Sequence, residues 1–125
     1  MKTRLAILLW AASPERPALC ATPFVHAAAA AALDAEVEIH FAGPSVRLLV
    51  EGVAAELRPW PGLEADLYAM MRQAAALDVR FLACAMAREA LIGADEALIA
   101  EFAGTAGAAA FVQRALDPDW ATLVF

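Results

Sequence analysis

A chain of 125 residues is the size of one ordinary domain, able to bury roughly two-thirds of its unfolded surface without metal or disulfide help. Its hydrophobic fraction of 62% owes much to alanine, and nowhere do about 18 apolar residues run on without a charge or proline, which argues against a membrane span. A net charge of -6, with nine basic residues scattered among fifteen acidic ones, leaves no footprint for nucleic acid or anionic lipid, so proteins or small molecules are the expected partners. The two cysteines, Cys20 and Cys84, lie too far apart in sequence to suggest the dense framework of small secreted domains, and a reducing compartment is the simpler assumption.

At the N-terminus, Lys2 and Arg4 precede an apolar run that has the outline of a signal peptide. The run is short, however, and stops at Ser13-Pro14-Glu15-Arg16 with no clean small-x-small cleavage site. Leu19 beside Cys20 also argues against lipoprotein processing. The segment Arg4 to Trp10 is apolar on both faces, as an interior parallel strand covered by helices requires. A turn over Ser13 to Pro17 leads into an alanine-rich helix from Ala18 to Leu33, with Pro23 near its start or kinking it.

Glu36 to Phe41 alternates, with Val37, Ile39 and Phe41 on one face and Glu36, Glu38 and His40 on the other, the pattern of a half-exposed strand near a sheet edge. Gly43-Pro44 then opens a short helix through Leu49, which Gly52 terminates. Residues 53 to 62, containing Pro59-Trp60-Pro61-Gly62, form an irregular surface connection. From Leu63 the apolar positions Leu67, Met70, Met71, Ala74 and Leu77 recur at helical spacing. Val79 to Cys84 is a short strand followed by helix to Ile92, a break at Gly93 and a further helical stretch from Asp95 to Phe102. Gly104 to Gly107 holds a very short strand, Ala108 to Leu116 the last helix, and Ala121 to Phe125 a final strand. Strands alternating with helices over residues 1–125 predict one α/β domain, a three-layer α/β/α sandwich with a mostly parallel sheet of about five strands.

The motif search excludes more than it finds. There is no G-x-G-x-x-G, P-loop, H-E-x-x-H or C-x-x-C, and no cofactor is implied. Two histidines cannot build a histidine-rich metal site within one chain, and neither serine, Ser13 nor Ser45, sits in a G-x-S-x-G elbow. Cys84 stands out by position. It closes the run Arg80-Phe81-Leu82-Ala83 and immediately precedes a helix, at the strand end where open α/β sheets bind their ligands. Backbone N–H groups at Ala85 and Met86, and Arg88 one turn on, would favour its thiolate. The same residue is equally describable as a small buried hydrophobe, and position alone leaves both readings open.

The order of features over nearly the whole chain resembles the DsrE/DsrF-like sulfur-relay family. The resemblance rests on the opening strand Leu5 to Trp10, the alanine-rich helix, Val37-Glu38-Ile39-His40-Phe41 leading into Gly43-Pro44-Ser45-Val46-Arg47-Leu48-Leu49, and the strand ending Phe81-Leu82-Ala83-Cys84. Gly107-Ala108-Ala109-Ala110-Phe111-Val112 and Leu123-Val124-Phe125 continue it. It implies a small cytoplasmic protein, assembled as a homotrimer or homohexamer, that accepts sulfur from a donor protein and passes it to an acceptor as a persulfide on Cys84. Some relatives lack the cysteine and serve as structural subunits.

Cys20, near the start of the first helix, is a candidate resolving or second relay thiol, or a plain packing residue. His26 is expected to pack rather than act as a base, His40 to lie on a solvated face or a subunit contact, and Met70 and Met71 to fill the core or an interface. Trp60 anchors its loop or meets a neighbouring subunit. Three functions follow as alternatives: a sulfur carrier or sulfurtransferase acting through Cys84, a noncatalytic oligomeric scaffold, and a small-molecule binding module using the strand-end crevice.

Overall fold

A computed structural model describes residues 3–125; Met1 and Lys2 lie outside the described residues. Five parallel strands form one sheet: β1 (Arg4–Leu9), β2 (Glu36–Phe41), β3 (Arg80–Cys84), β4 (Phe102–Ala106) and β5 (Trp120–Val124), in the order β4-β3-β2-β1-β5. Parallel neighbours need crossovers. These are α1 (Ala21–Ala32), α2 (Leu67–Ala76), α3 (Ala85–Leu91) and α4 (Ala108–Leu116), the last returning the chain across the sheet from β4 to β5. The apolar run with signal-like flanks holds strand β1, Arg4–Leu9.

Register divides the sheet into two unlike faces. Ile7 stands beside Ile39, and Ile39 beside Phe81; with Leu9 and Phe41 they point to α1 and α2 and are fully buried. Phe24 of α1 closes this layer, its ring centroid 6.0 Å from that of Phe41 and 5.9 Å from that of Phe81, in tilted and edge-on arrangements that aromatic pairs favour. Met71 joins this core and Met70 lies partly buried beside it. Both helices end on an aspartate in the left-handed region, Asp34 at φ 67° and Asp78 at φ 66°. The short polar side chain tolerates this conformation where most residues do not. On the opposite face Ala6, Leu8, Glu38, His40 and Leu82 lie under α4 and the turn that precedes it.

Two expectations fail here. Glu36 to Phe41 is the central strand, flanked by β1 and β3, while β4 and β5 are the edges. Its alternation marks two buried faces rather than one dry and one wet. Glu38 and His40 are 3% and 5% exposed, and they tolerate burial because they bond to each other and because Glu38 also accepts from Arg114 of α4. His40 is therefore buried rather than on a solvated strand face. The stretch 95–102 is not a helix either. Glu96 takes up the Gly93 N–H at 2.8 Å and pairs with Arg47, while Ile99 N–H donates to the Leu49 carbonyl at 2.9 Å and Leu98 bridges to Val50 antiparallel. Tertiary partners outbid the helical propensity of Glu96-Ala97-Leu98.

Smaller differences concern boundaries. Pro17–Leu19 is a 3-10 turn before α1, Gly43–Leu49 is 3-10, and α2 begins at Leu67 because the Asp66 carboxylate accepts from the Ala69 N–H at 2.8 Å. Gly43, at φ 53°, makes the sharp exit from β2 that most side chains would disfavour.

Candidate functional site

The carboxyl ends of β1 to β4 form the floor of a cavity of about 460 Å³, walled by α3 on one side and the start of α4 on the other. Chain geometry explains the lining. In α3, Met86, Ala87, Ala90 and Leu91 share one helical face and meet the cavity. Ala85, Arg88, Glu89 and Ile92 share the other and line a separate depression of about 410 Å³. Strand alternation sends Leu8, His40 and Cys84 to the same side, and Gly43, Gly107 and Ala108 leave space at the turns above them.

Cys84 is partly exposed, a free thiol, and the residue at which β3 passes directly into α3. Its side chain makes no capping hydrogen bond. His40, opposite Leu82 in the register, is its diagonal neighbour on β2. The lining is otherwise apolar: Cys84 and His40 are its two titratable side chains.

His40 belongs to a buried network. Its Nε2 lies 2.8 Å from Glu38 Oε1, and the same oxygen accepts from Arg114 Nε at 2.9 Å. Burial alone would raise the Glu38 carboxyl, but the hydrogen bonds from Arg114 and His40 outweigh it and hold it below its ordinary value. A carboxylate can only accept, so His40 Nε2 carries the hydrogen. Phe111 of α4 packs edge-to-face with the imidazole, ring centroids 5.3 Å apart. Arg114 also lies over the Trp120 ring at 4.2 Å, which fixes the guanidinium against β5.

The other residues singled out in the sequence fall elsewhere. Met86 stands at the cavity rim and is 78% exposed. Arg88 does not reach the cavity. Helix α3 begins at once after Cys84, but its face turns Arg88 over the Phe102 ring at 5.0 Å, in the depression that Ala85 also lines. Cys20 is fully buried in the core beneath α1, absent from the lining, with its sulfur 3.5 Å from the Ser13 and Arg16 carbonyls. Burial pushes its thiol from 9.0 to about 11. His26 is exposed and donates from Nδ1 to the Thr22 carbonyl at 2.9 Å. Trp60 is half exposed in its loop.

Reading the sequence missed Glu38, Arg114, Phe111 and the pairing that makes His40 part of the site. The available signal was a glutamate and a histidine two apart inside a strand whose remaining residues are apolar.

The model of the DsrE/DsrF-like family matches residues 6–125. In architecture the chain is similar to the ychN protein from E. coli, whose crystal structure superposes with a TM-score of 0.67 over 100% of both chains at 16% sequence identity. At that identity the likeness shows the fold. No curated protein matches the sequence.

The two thiols should differ in native reactivity. A pKa of about 11 leaves Cys20 with about a hundredfold less thiolate than a thiol at its ordinary 9.0. Iodoacetamide applied to the native protein should label Cys84 alone, and both cysteines after denaturation. Native labelling of Cys20, read by peptide mass, would contradict the placement described.

Proposed function

The chain belongs to the DsrE/DsrF-like family, and on that premise we propose that it is a sulfur carrier holding sulfane sulfur as a persulfide on Cys84. The observation that carries this reading is a free, partly exposed thiol at the carboxyl end of an interior strand, opening into a cavity of about 460 Å³. Thiolate attack on a donor persulfide joins its outer sulfur to Cys84 and releases the donor thiolate; an acceptor thiolate later repeats the exchange in reverse. The cavity walls exclude water from the reactive persulfide once a partner covers the opening. Among the described residues no Lys, Arg, Asp or Glu lines it. It therefore suits a cysteine persulfide carried on a partner protein better than a small polyanionic donor, in keeping with donor and acceptor proteins as partners.

Incubation with a persulfide donor should add about 32 daltons, one sulfur atom, to the native chain. Cys84→Ser should abolish the gain and Cys20→Ser should leave most of it. Absence of the adduct from wild type with every competent donor, or its loss in the Cys20 variant only, would refute the assignment.

We also infer that copies of the chain associate, as a trimer or hexamer. Helix α4 buries none of its residues, leaving Val112 and Leu116 exposed four apart on one face, and the edge strand β5 exposes Leu123 and Val124. A monomer would leave this surface and an unpaired strand edge open to water. Among the described residues no helix is long and apolar enough to cross a membrane, so the exposed apolar surface is not a spanning helix. Light scattering at micromolar concentration should give a multiple of the chain mass, and a monomer mass would overturn the inference.

A further inference from the structure

We propose that His40 is the acid–base partner of Cys84: its Nδ1 receives the thiol proton as sulfur arrives and returns it to the departing thiolate. The proposal deepens the carrier reading and rests on it. Cys84 and His40 are diagonal neighbours on adjacent strands, on one face of the sheet, lining one cavity. They are that cavity's two titratable side chains, so a proton exchanged inside it passes between them unless it leaves to solvent or to the bound partner.

The imidazole is prepared for this role. Its Nε2 hydrogen is committed to Glu38, which leaves the lone pair of the neutral ring on Nδ1. Among the described residues that atom has no hydrogen-bond partner, and no buried side-chain nitrogen or oxygen is left without one. Nδ1 is therefore open rather than enclosed, and what it opens to is the cavity the ring lines. Glu38 orients the ring, Arg114 orients Glu38, and Phe111 packs edge-to-face with the imidazole. This is the arrangement of nucleophile, base and orienting carboxylate that activates thiols elsewhere in protein chemistry. The groups facing His40 from the packed elements are Glu38 on β2, Arg114 on α4 through that carboxylate, and Cys84 on β3. Helix α3 and β1 present only Met86, Ala87, Ala90, Leu91 and Leu8 to the cavity.

The exchange balances. The Cys84 S–H proton moves to Nδ1, the thiolate attacks the outer sulfur of R–S–SH, the Cys84 Sγ–S bond forms and the R–S bond to that sulfur breaks. The leaving R–S⁻ takes the proton from the imidazolium. No external oxidant or reductant is consumed.

The test compares wild type with His40→Gln, which keeps a donor for Glu38 but cannot take a proton. Iodoacetamide rates at Cys84, followed over about pH 5 to 9, should fall at least about tenfold near neutrality in the variant and collapse to a single thiol titration. Only two imidazoles exist in the chain, so NMR with His26→Gln as assignment control follows His40 directly. Its titration should shift in Cys84→Ser while that of His26 stays fixed. Unchanged rates in a folded His40→Gln protein, or a His40 titration indifferent to Cys84→Ser, would overturn the proposal. Should His40→Gln fail to fold, the NMR comparison decides. Failure of wild type to take up sulfur would count against the carrier reading instead, since alkylation and NMR judge the His40–Cys84 pair without any sulfur donor.

Discussion

The arrangement at the carboxyl end of the sheet depends on burying one carboxylate. Glu38 sits in the central strand, under α4, where an unpaired charge would be prohibitively costly. It is tolerated because Arg114 and His40 both reach it. Leaving the buried carboxylate unpaired would cost a large part of the stability of a single domain, tempered on the side of Arg114, which is 37% exposed. The carboxylate thereby decides two further things. It draws α4 across β1 and β5 through Arg114, and it turns the His40 ring so that Nε2 points inward and Nδ1 is left for the cavity. A stabilising contact and the proposed acid–base pair thus share the same residues.

The opposite face contributes by contrast. Phe24, Phe41 and Phe81 make a packed aromatic layer that needs no polar exceptions and that anchors β3 through Phe81. Cys84, three residues after Phe81, is the last residue of β3, and its backbone passes straight into α3. The two cysteines show what position does to one functional group. Cys20 is enclosed near the start of α1, its thiol pushed up by burial and turned to backbone carbonyls. Cys84 opens to a cavity whose walls are small or apolar side chains.

Much of this was legible in the sequence. The runs Arg4 to Trp10 and Val79 to Cys84 are apolar on both faces, and they are the interior strands β1 and β3. The helical spacing from Leu67 to Leu77 and the hand-over at Cys84 were equally plain. The rank of β2 was not. A strand carrying Glu38 and His40 looks half exposed until Arg114, 76 residues away, is known to pair with it. Local pattern carries no information about such a partner. The same limit applies to 95–102, where Arg47, 49 residues distant, captures Glu96 and the backbone bridges to 49–51. Arg88 was misjudged for a different reason. One turn of helix returns a side chain near the same axial line, but α3 is rotated so that this line faces Phe102 rather than the cavity.

The central claim is that sulfur resides on Cys84, inside the cavity that His40 lines. A crystal structure of the protein after reaction with a persulfide donor tests it most directly. One additional sulfur should be bonded to Cys84 Sγ at about 2.05 Å, pointing into the cavity toward His40 Nδ1. Additional density on Cys20, or an unmodified Cys84 in crystals of protein whose mass has risen by one sulfur, would contradict it.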